Sequence, residues 1–268
     1  MKYDPIKKVF GNIVSDRVML RKIFYRLLDM MFLRAWHVKK TIKNLFSPSD
    51  KIRILDAGMG FGQYTYFMSK YFKNPDILAV DVKNEQVNDC TNFFTKAEIR
   101  NVKFEIADLT KIEYKDEFDF ILSVDVMEHI VEDEVVFGNF FNALKKGGKL
   151  LVNTPSDLGG SDAHEDDDES FIEEHARNGY SKEDIESKLK RAGFGIEHFS
   201  YSYGKFGTIS WRLGIKYPIL IAGVHKSLML LLWIYYILTL WLTLILMWLD
   251  VHTKNVEGTG VLVIAVKQ

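Results

Sequence analysis

Two short runs hold the residues whose types and spacing could do chemistry. The first is Asp56-Ala57-Gly58-Met59-Gly60-Phe61-Gly62, placed where an apolar run ending at Asp56 gives way to a helical pattern. Glycines at such a turn let the backbone approach a ligand closely and leave amide groups free to bind it. Asp81, 25 residues after Asp56 and followed by Val82, ends a second apolar run. A carboxylate at that place can accept both hydroxyls of a ribose. Asp108, in Ala107-Asp108-Leu109, ends a third run, where it could accept from an adenine amino group. The glycine spacing is GxGxG, and Gln63 stands where a dinucleotide fingerprint has its third glycine, which disfavours a pyrophosphate site.

The second run is Ser123-Val124-Asp125-Val126-Met127-Glu128-His129. Asp125, Glu128 and His129 have i, i+3, i+4 spacing, which on a helical turn puts three possible metal ligands on one face. A divalent metal is nonetheless not expected, because Glu-His pairs are common without one. Between Pro155 and Tyr180 lie His164, His175 and eight acidic residues from Asp162 to Glu174. With His129, these two histidines are the candidate bases if the reaction needs one. The plainer readings are a solvated acidic lid and a structural His175. His37, His198 and His252 show no partner in the sequence, and His225 flanks an apolar stretch.

The elements that must position these residues alternate from Lys51 to about Ser202. Strands are expected over 52–56, 77–81, 102–107, 118–124, 149–154 and 194–201, with helices over 62–71, 85–95, 132–145 and 182–192. Ser181 with Asp184 reads as an N-cap, and Gly193 as a helix stop. A last apolar run bounded by Gly258 and Gly260 reads as a buried final strand. This alternation implies a doubly wound α/β sheet.

Composition narrows the class. The 268 residues are 47% hydrophobic and 26% charged, enough for a full core and unlike a disordered tail. The formal net charge of −1 argues against a nucleic-acid binder that relies on overall positive charge. The single cysteine, Cys90, excludes an intrachain disulfide scaffold. Residues 1–46 are locally basic, with eleven Lys or Arg against three Asp, and their apolar residues fall at helical spacing. They read as amphipathic helices that either cap the next domain or lie on anionic lipid. No secretory signal is expected, since no uninterrupted apolar core follows the first charges. Residues 227–249 form a run of 23 without a charge, longer than the roughly 20 needed to cross a bilayer.

In order and in register, the glycine loop, the acidic end of strand two, the Ala107-Asp108 pair, the Ser123 to His129 segment and Leu144 to Leu151 resemble the class I S-adenosylmethionine-dependent methyltransferases. The resemblance covers residues 52–202 and 258–268. It implies a mostly parallel seven-stranded sheet with an antiparallel last strand. It also implies that Asp56, Ala57, Gly58, Met59, Gly60 and Gly62 surround the methionine part of S-adenosylmethionine, Asp81 and Val82 the ribose, and Asp108 and Leu109 the adenine. Asp125 and Val126 then follow strand four at the cofactor's edge. Because the last two strands share one sheet, the apolar insertion must leave and return on the same side, as a helical hairpin of 208–224 and 227–249 or as helices lying in the interface near Trp211, Trp233, Trp241 and Trp248.

The expected organisation is a basic helical segment over 1–47, a cofactor-binding domain over 48–207 and 256–268, and a membrane-associating insertion over 208–255. The expected activity is methyl transfer, to oxygen on the resemblance alone, onto a lipophilic small molecule or lipid at the cytoplasmic face of a membrane, monotopic or re-entrant. Competing readings are a non-catalytic anchored scaffold, which has no need of these glycines and carboxylates, a nucleotide-dependent oxidoreductase, and a nucleic-acid methyltransferase, disfavoured because no Asn-Pro-Pro-Tyr motif follows strand four. Nucleic acid is not an expected partner.

Overall fold

A computed structural model describes residues 17–158, 176–224 and 231–268. Its centre is a seven-stranded sheet of β1 (Arg53–Ala57), β2 (Asp76–Asp81), β3 (Val102–Ile106), β4 (Phe118–Val124), β5 (Leu144–Pro155), β6 (Phe194–Ser202) and β7 (Gly260–Lys267), in the order β3-β2-β1-β4-β5-β7-β6. The first five are parallel, and β7 runs antiparallel to β5 on one side and β6 on the other. This is the sheet the family resemblance implied. The inner strands are apolar along nearly their whole length because both faces are covered. Leu55, Ile121, Leu150 and Val263 pack against Phe137 and Phe140 of α5 (Asp133–Ala143) and Ile185 and Leu189 of α6 (Lys182–Arg191). On the other face Ile54, Leu122, Leu151 and Leu262 meet Val38 and Ile42 of α2 (Leu33–Leu45) and Met68 of α3 (Gln63–Tyr71). The remaining sheet helix is α4 (Asn84–Lys96), between β2 and β3.

Ser181 caps α6, its Oγ accepting from the Asp184 amide at 3.1 Å, and Gly193 follows the helix at φ +103°. One boundary departs from expectation. The helix expected over 132–145 stops at Ala143, and β5 begins at Leu144 rather than Lys149. Leu144 pairs directly with Phe118, Lys145 reaches Asp119 at 2.8 Å, and Gly147 at φ +78° turns the strand.

The N-terminal segment forms α1 (Val18–Met31), followed by a break at Phe32 and α2. The helix expected around Ile6 to Ile13 lies outside the described residues. Four of the eight basic side chains described here are paired within the protein: Arg21 with Asp89, Arg34 with Asp125, Lys39 with Asp29, and Lys40 with the Val251 carbonyl. Of the two readings of this segment, packing as a cap describes α2 and the Arg21 face of α1.

The insertion is a helical hairpin. Its first arm is α7 (Lys205–Trp211), a π-helical stretch over Arg212–Lys216, and α8 (Tyr217–Val224); its second is α9 (Leu231–His252). The arms are antiparallel, since Gly207 meets Asp250 while Gly214 meets Thr243 and Tyr236. Pro218 has no N–H to close a helical turn on the carbonyls four or five residues back, and the helix widens before it. Those two carbonyls, Gly214 and Leu213, instead accept from the hydroxyls of Tyr236 (3.0 Å) and Tyr235 (2.7 Å).

The base of the hairpin is fixed by Asp250, which is fully buried. Its carboxylate accepts from the Gly207 amide at 2.9 Å and lies 2.8 Å from His37 Nε2 on α2. A buried carboxylate costs stability unless each lone pair it turns inward is met. Replacing Asp250 with Ala leaves the Gly207 N–H and His37 without their acceptor, and is expected to lower unfolding stability by about 3 kcal/mol; a urea midpoint unchanged from the parent would contradict that.

Candidate active site

The site lies at the carboxyl ends of β1, β2 and β4, where the central strands of a doubly wound sheet open into a crevice. Between β1 and α3, Gly58, Gly60 and Gly62 have φ of +81°, +52° and +73°, a region that residues with a Cβ avoid. A Cβ on Gly58 would sit 2.3 Å from Val126 Cγ2, and one on Gly62 would sit 2.9 Å from Cys90 Sγ, whereas nothing stands within 4 Å of one on Gly60. The loop is therefore packed on two sides and open at its centre.

Asp81, at the end of β2, braces this loop. One carboxylate oxygen accepts from the Gly60 amide at 3.0 Å and the other from the Lys83 amide at 2.9 Å. Val82 beside it is 67% exposed, an apolar plate at the crevice edge. Asp56 is buried below the loop and accepts from Thr65 Oγ1 at 2.5 Å. Burial pushes its carboxyl up to about 7 despite the Thr65 bond, with nearby Asp81 adding to the rise. Asp108, just beyond β3, is held down at about 2 by Lys111 (2.9 Å), then by the Thr110 hydroxyl and amide. Leu109 is buried and its carbonyl accepts from Asn139 at 2.9 Å. Ala57 and Met59 are buried in the loop's flanks.

The loop has a second brace that sequence reasoning missed. Arg21 of α1, 1% exposed, donates to the Phe61 carbonyl at 2.8 Å, and Tyr25 hydroxyl donates to the same oxygen at 2.6 Å. Arg21 also pairs with Asp89 of α4 at 2.6 Å and lies 3.9 Å from Cys90 Sγ. Burial pushes the Cys90 thiol up to about 12, so it serves as packing. The signal in the sequence was a helix whose Arg and Tyr sit four apart on one face.

Across the crevice Asp125 follows β4 at φ +55°, and its partner is Arg34 on the first turn of α2. Arg34 lies against the ring of Tyr203, whose hydroxyl accepts from the Arg34 amide at 3.3 Å. Tyr203 is itself left-handed at φ +55°, and burial pushes its phenol up, as it does that of Tyr64.

The three possible metal ligands do not converge. The turn over Met127–His129 is 3-10 rather than α-helical. Glu128 points inward and accepts from Thr154 Oγ1 at 2.9 Å, Asp125 turns to Arg34, and His129 is exposed. Among the described residues no group of three or more His, Cys, Asp or Glu could hold a metal ion. The candidate bases His164 and His175 lie outside the described residues. The chain just after them is held firmly: the Ala176 amide donates to the Glu128 carbonyl at 2.8 Å, Arg177 pairs with Asp133, and the Tyr180 hydroxyl donates to Asp133 at 2.7 Å.

A family model described as "Methyltransferase domain" matches residues 48–193, more than half of the chain. The chain belongs to the class I S-adenosylmethionine-dependent methyltransferases. Among curated relatives, phosphoethanolamine N-methyltransferase 3 of Arabidopsis thaliana is 34% identical over 101 residues, covering 37% of this chain and 20% of the relative. Malonyl-[acyl-carrier protein] O-methyltransferase of Bacillus cereus is 29% identical over 113 residues, 42% of this chain and 41% of the relative. The chain thus spans only a fifth to two fifths of the length of these relatives. The solved structure of phosphoethanolamine N-methyltransferase 2 of Haemonchus contortus with S-adenosyl-L-methionine matches with a TM-score of 0.62 at 20% identity, covering 96% of this chain and 60% of that one; this shows a shared fold.

The residues of this methyltransferase fit its cofactor. The open, left-handed centre of the glycine loop leaves room for a ligand against the backbone, and the Asp81 carboxylate stands beside it. Two outcomes follow. Gly58→Ala, which sets a methyl on Val126 in a left-handed conformation, should cost stability and weaken S-adenosylhomocysteine binding at least tenfold by calorimetry, by the order of 1–3 kcal/mol expected for such strain. Asp56 keeps its proton to about pH 7 when folded and only to its ordinary 3.8 when unfolded. Its stabilising contribution is therefore complete below 3.8 and declines as the pH rises to about 7. The slope is at most about 1.4 kcal/mol per pH unit. Asp56→Asn should remove that slope and gain on the parent in urea midpoints as the pH rises from 3.8 to about 7; parallel pH profiles would contradict the assignment.

Proposed function

We propose that this chain is a membrane-surface enzyme that moves the methyl group of S-adenosylmethionine onto a lipid or lipid precursor. The observation that carries the reading is the Asp81 carboxylate at the end of β2, set against the open left-handed loop at the end of β1. In this reading the loop amides and Asp56 hold the methionine end, Asp81 accepts from the ribose, Val82 and Leu109 flank the adenine beside Asp108, and Asp125 and Val126 form the edge facing the acceptor. Bound there, the cofactor supplies a methyl group on a sulfonium. The chain's task is to align the acceptor in line with that methyl and keep water out. His129, His164 and His175 are the bases available if the acceptor carries a proton of high pKa.

The membrane half of the proposal rests on α9. Its 22 residues make a helix of about 33 Å, long and apolar enough to cross a membrane. Yet one side of it packs through Tyr235, Tyr236, Thr243 and Asp250 onto the first arm, while Trp233, Ile237, Trp241 and Trp248 stand exposed on the other. Interfacial tryptophans spread along the whole length of one face suit a helix lying at the headgroup level better than one crossing it. The insertion 208–255 is then the membrane contact, 48–207 with 256–268 the catalytic domain, and 1–47 the basic segment, of which α1 and α2 pack as a cap. Oxygen is the acceptor atom that the family resemblance implies. Relatives named for both O- and N-methylation make product analysis the decisive readout.

Calorimetric titration of the detergent-purified chain with S-adenosylhomocysteine should give micromolar binding, and Asp81→Ala should lower it by about 10- to 100-fold, as expected for a lost charge-assisted contact. A folded chain that binds nothing would leave the scaffold reading. Replacing Trp233, Ile237 and Trp241 together with Ser should end co-flotation with anionic liposomes and leave cofactor binding intact; undiminished flotation would move the contact elsewhere.

A further inference from the structure

The pair of Arg34 and Asp125 stands at the end of β4, next to the Val126 that packs on Gly58, and each residue has an atom to spare. Arg34 Nε and Asp125 Oδ1 are both buried without a hydrogen-bond partner among the described residues. Such atoms are costly to leave unmet, so a third group that reaches this pair as the side chains shift would meet a need the protein itself leaves open. The two side chains are not sealed in: they keep 23% and 35% of their surface exposed. Around them, Asp125 and Tyr203 both hold left-handed backbone. Strain of that kind in residues with side chains gathers where a ligand is gripped. Asn153, on the same sheet face as Leu151 and therefore toward α2, is buried with both amide atoms unmet.

Arg34 also stands in the first turn of α2, where a cation adds to the positive end of the helix dipole instead of offsetting it. Only Asp125 balances that charge by direct pairing among the described residues. Three residues further along, His37 holds Asp250 at the base of the hairpin, and Lys40 holds the Val251 carbonyl. The helix that carries Arg34 is thereby fixed to the part of the chain proposed to rest among lipid headgroups, where the abundant anionic group is phosphoryl.

We propose that Arg34 is the acceptor-selecting residue, its guanidinium taking a phosphoryl oxygen of the acceptor while the part-exposed Asp125 carboxylate accepts from the N–H or O–H of the group to be methylated. This rests on the methyltransferase reading above. It names the acceptor as a phosphate-bearing amine or alcohol, in a lipid headgroup or free, and not an uncharged lipophile.

The test uses the full chain, methyl-labelled cofactor and three acceptors: phosphoethanolamine in solution, phosphatidylethanolamine in phosphatidylcholine vesicles, and an uncharged isoprenyl phenol in the same vesicles. Labelled product is expected from a phosphate-bearing acceptor, the vesicle arm identifying a headgroup and the soluble arm a free ester. Arg34→Gln should raise the KM for that acceptor by about 10- to 100-fold. It should leave the S-adenosylhomocysteine affinity within about twofold, and Arg34→Lys should recover part of the loss, because it restores charge without the fork. Transfer to the phenol alone, transfer to none of the three, or an Arg34→Gln KM equal to the parent's overturns the assignment. Absent S-adenosylhomocysteine binding in the parent chain would instead be a failure of the methyltransferase reading.

Discussion

A strand that runs between two others must satisfy its backbone on both sides, and β7 does so by pairing antiparallel with β5 and with β6. Everything inserted between β6 and β7 is bound by that arrangement. The chain leaves the sheet at Ser202 and must come back to Gly260 at the same edge, where these two residues pair. A single passage through a bilayer is incompatible with such a return. An antiparallel pair of helices joined to the sheet at one end is compatible with it, and the hairpin of α7, α8 and α9 has that form. The same constraint brings Asp250 back beside Gly207 and within reach of His37, so that the sheet's last hydrogen bonds also determine where α2 is held.

Much of this was legible from residue order. The inner strands announce themselves as unbroken apolar runs because both faces are covered, and the glycine loop, Asp81 and Ala107-Asp108 stand at strand ends because that is where a doubly wound sheet presents ligand groups. Ser181 with Asp184, and Gly193 after Ala192, marked a helix through local chemistry alone. The start of β5 was not legible, since Lys145 and Lys146 fit a helix until Phe118 and Asp119 across the sheet claim Leu144 and Lys145.

The site divides the same way. Residues contributed by strand ends could be named in advance, whereas Arg21, Tyr25, Arg34 and Tyr203 could not, because each acts through a partner 30 or more residues away. Basic residues spaced on amphipathic helices suggest a lipid surface equally well. What distinguishes them here is burial and pairing: Arg21 stacks near Tyr25, Phe61 and Phe93 and meets Asp89. The i, i+3, i+4 spacing of Asp125, Glu128 and His129, from which no metal was expected, shows a related limit. Spacing along a helix predicts a shared face only if the turn is α-helical, and the 3-10 turn after β4 sends Glu128 toward Thr154 while Asp125 faces Arg34.

Cys90, the one cysteine in the chain, sits behind the glycine loop with its sulfur 3.6 Å from the Gly60 carbonyl, under the guanidinium of Arg21. Only a thiolate reacts quickly with alkylating reagents, and a thiol held up at about 12 beneath a helix offers very little of it. Reaction of Cys90 therefore requires the packing of Arg21, the loop and the sheet around it to open, and its rate reports that opening. The molecule carries its own clock for that opening, without a label having to be introduced.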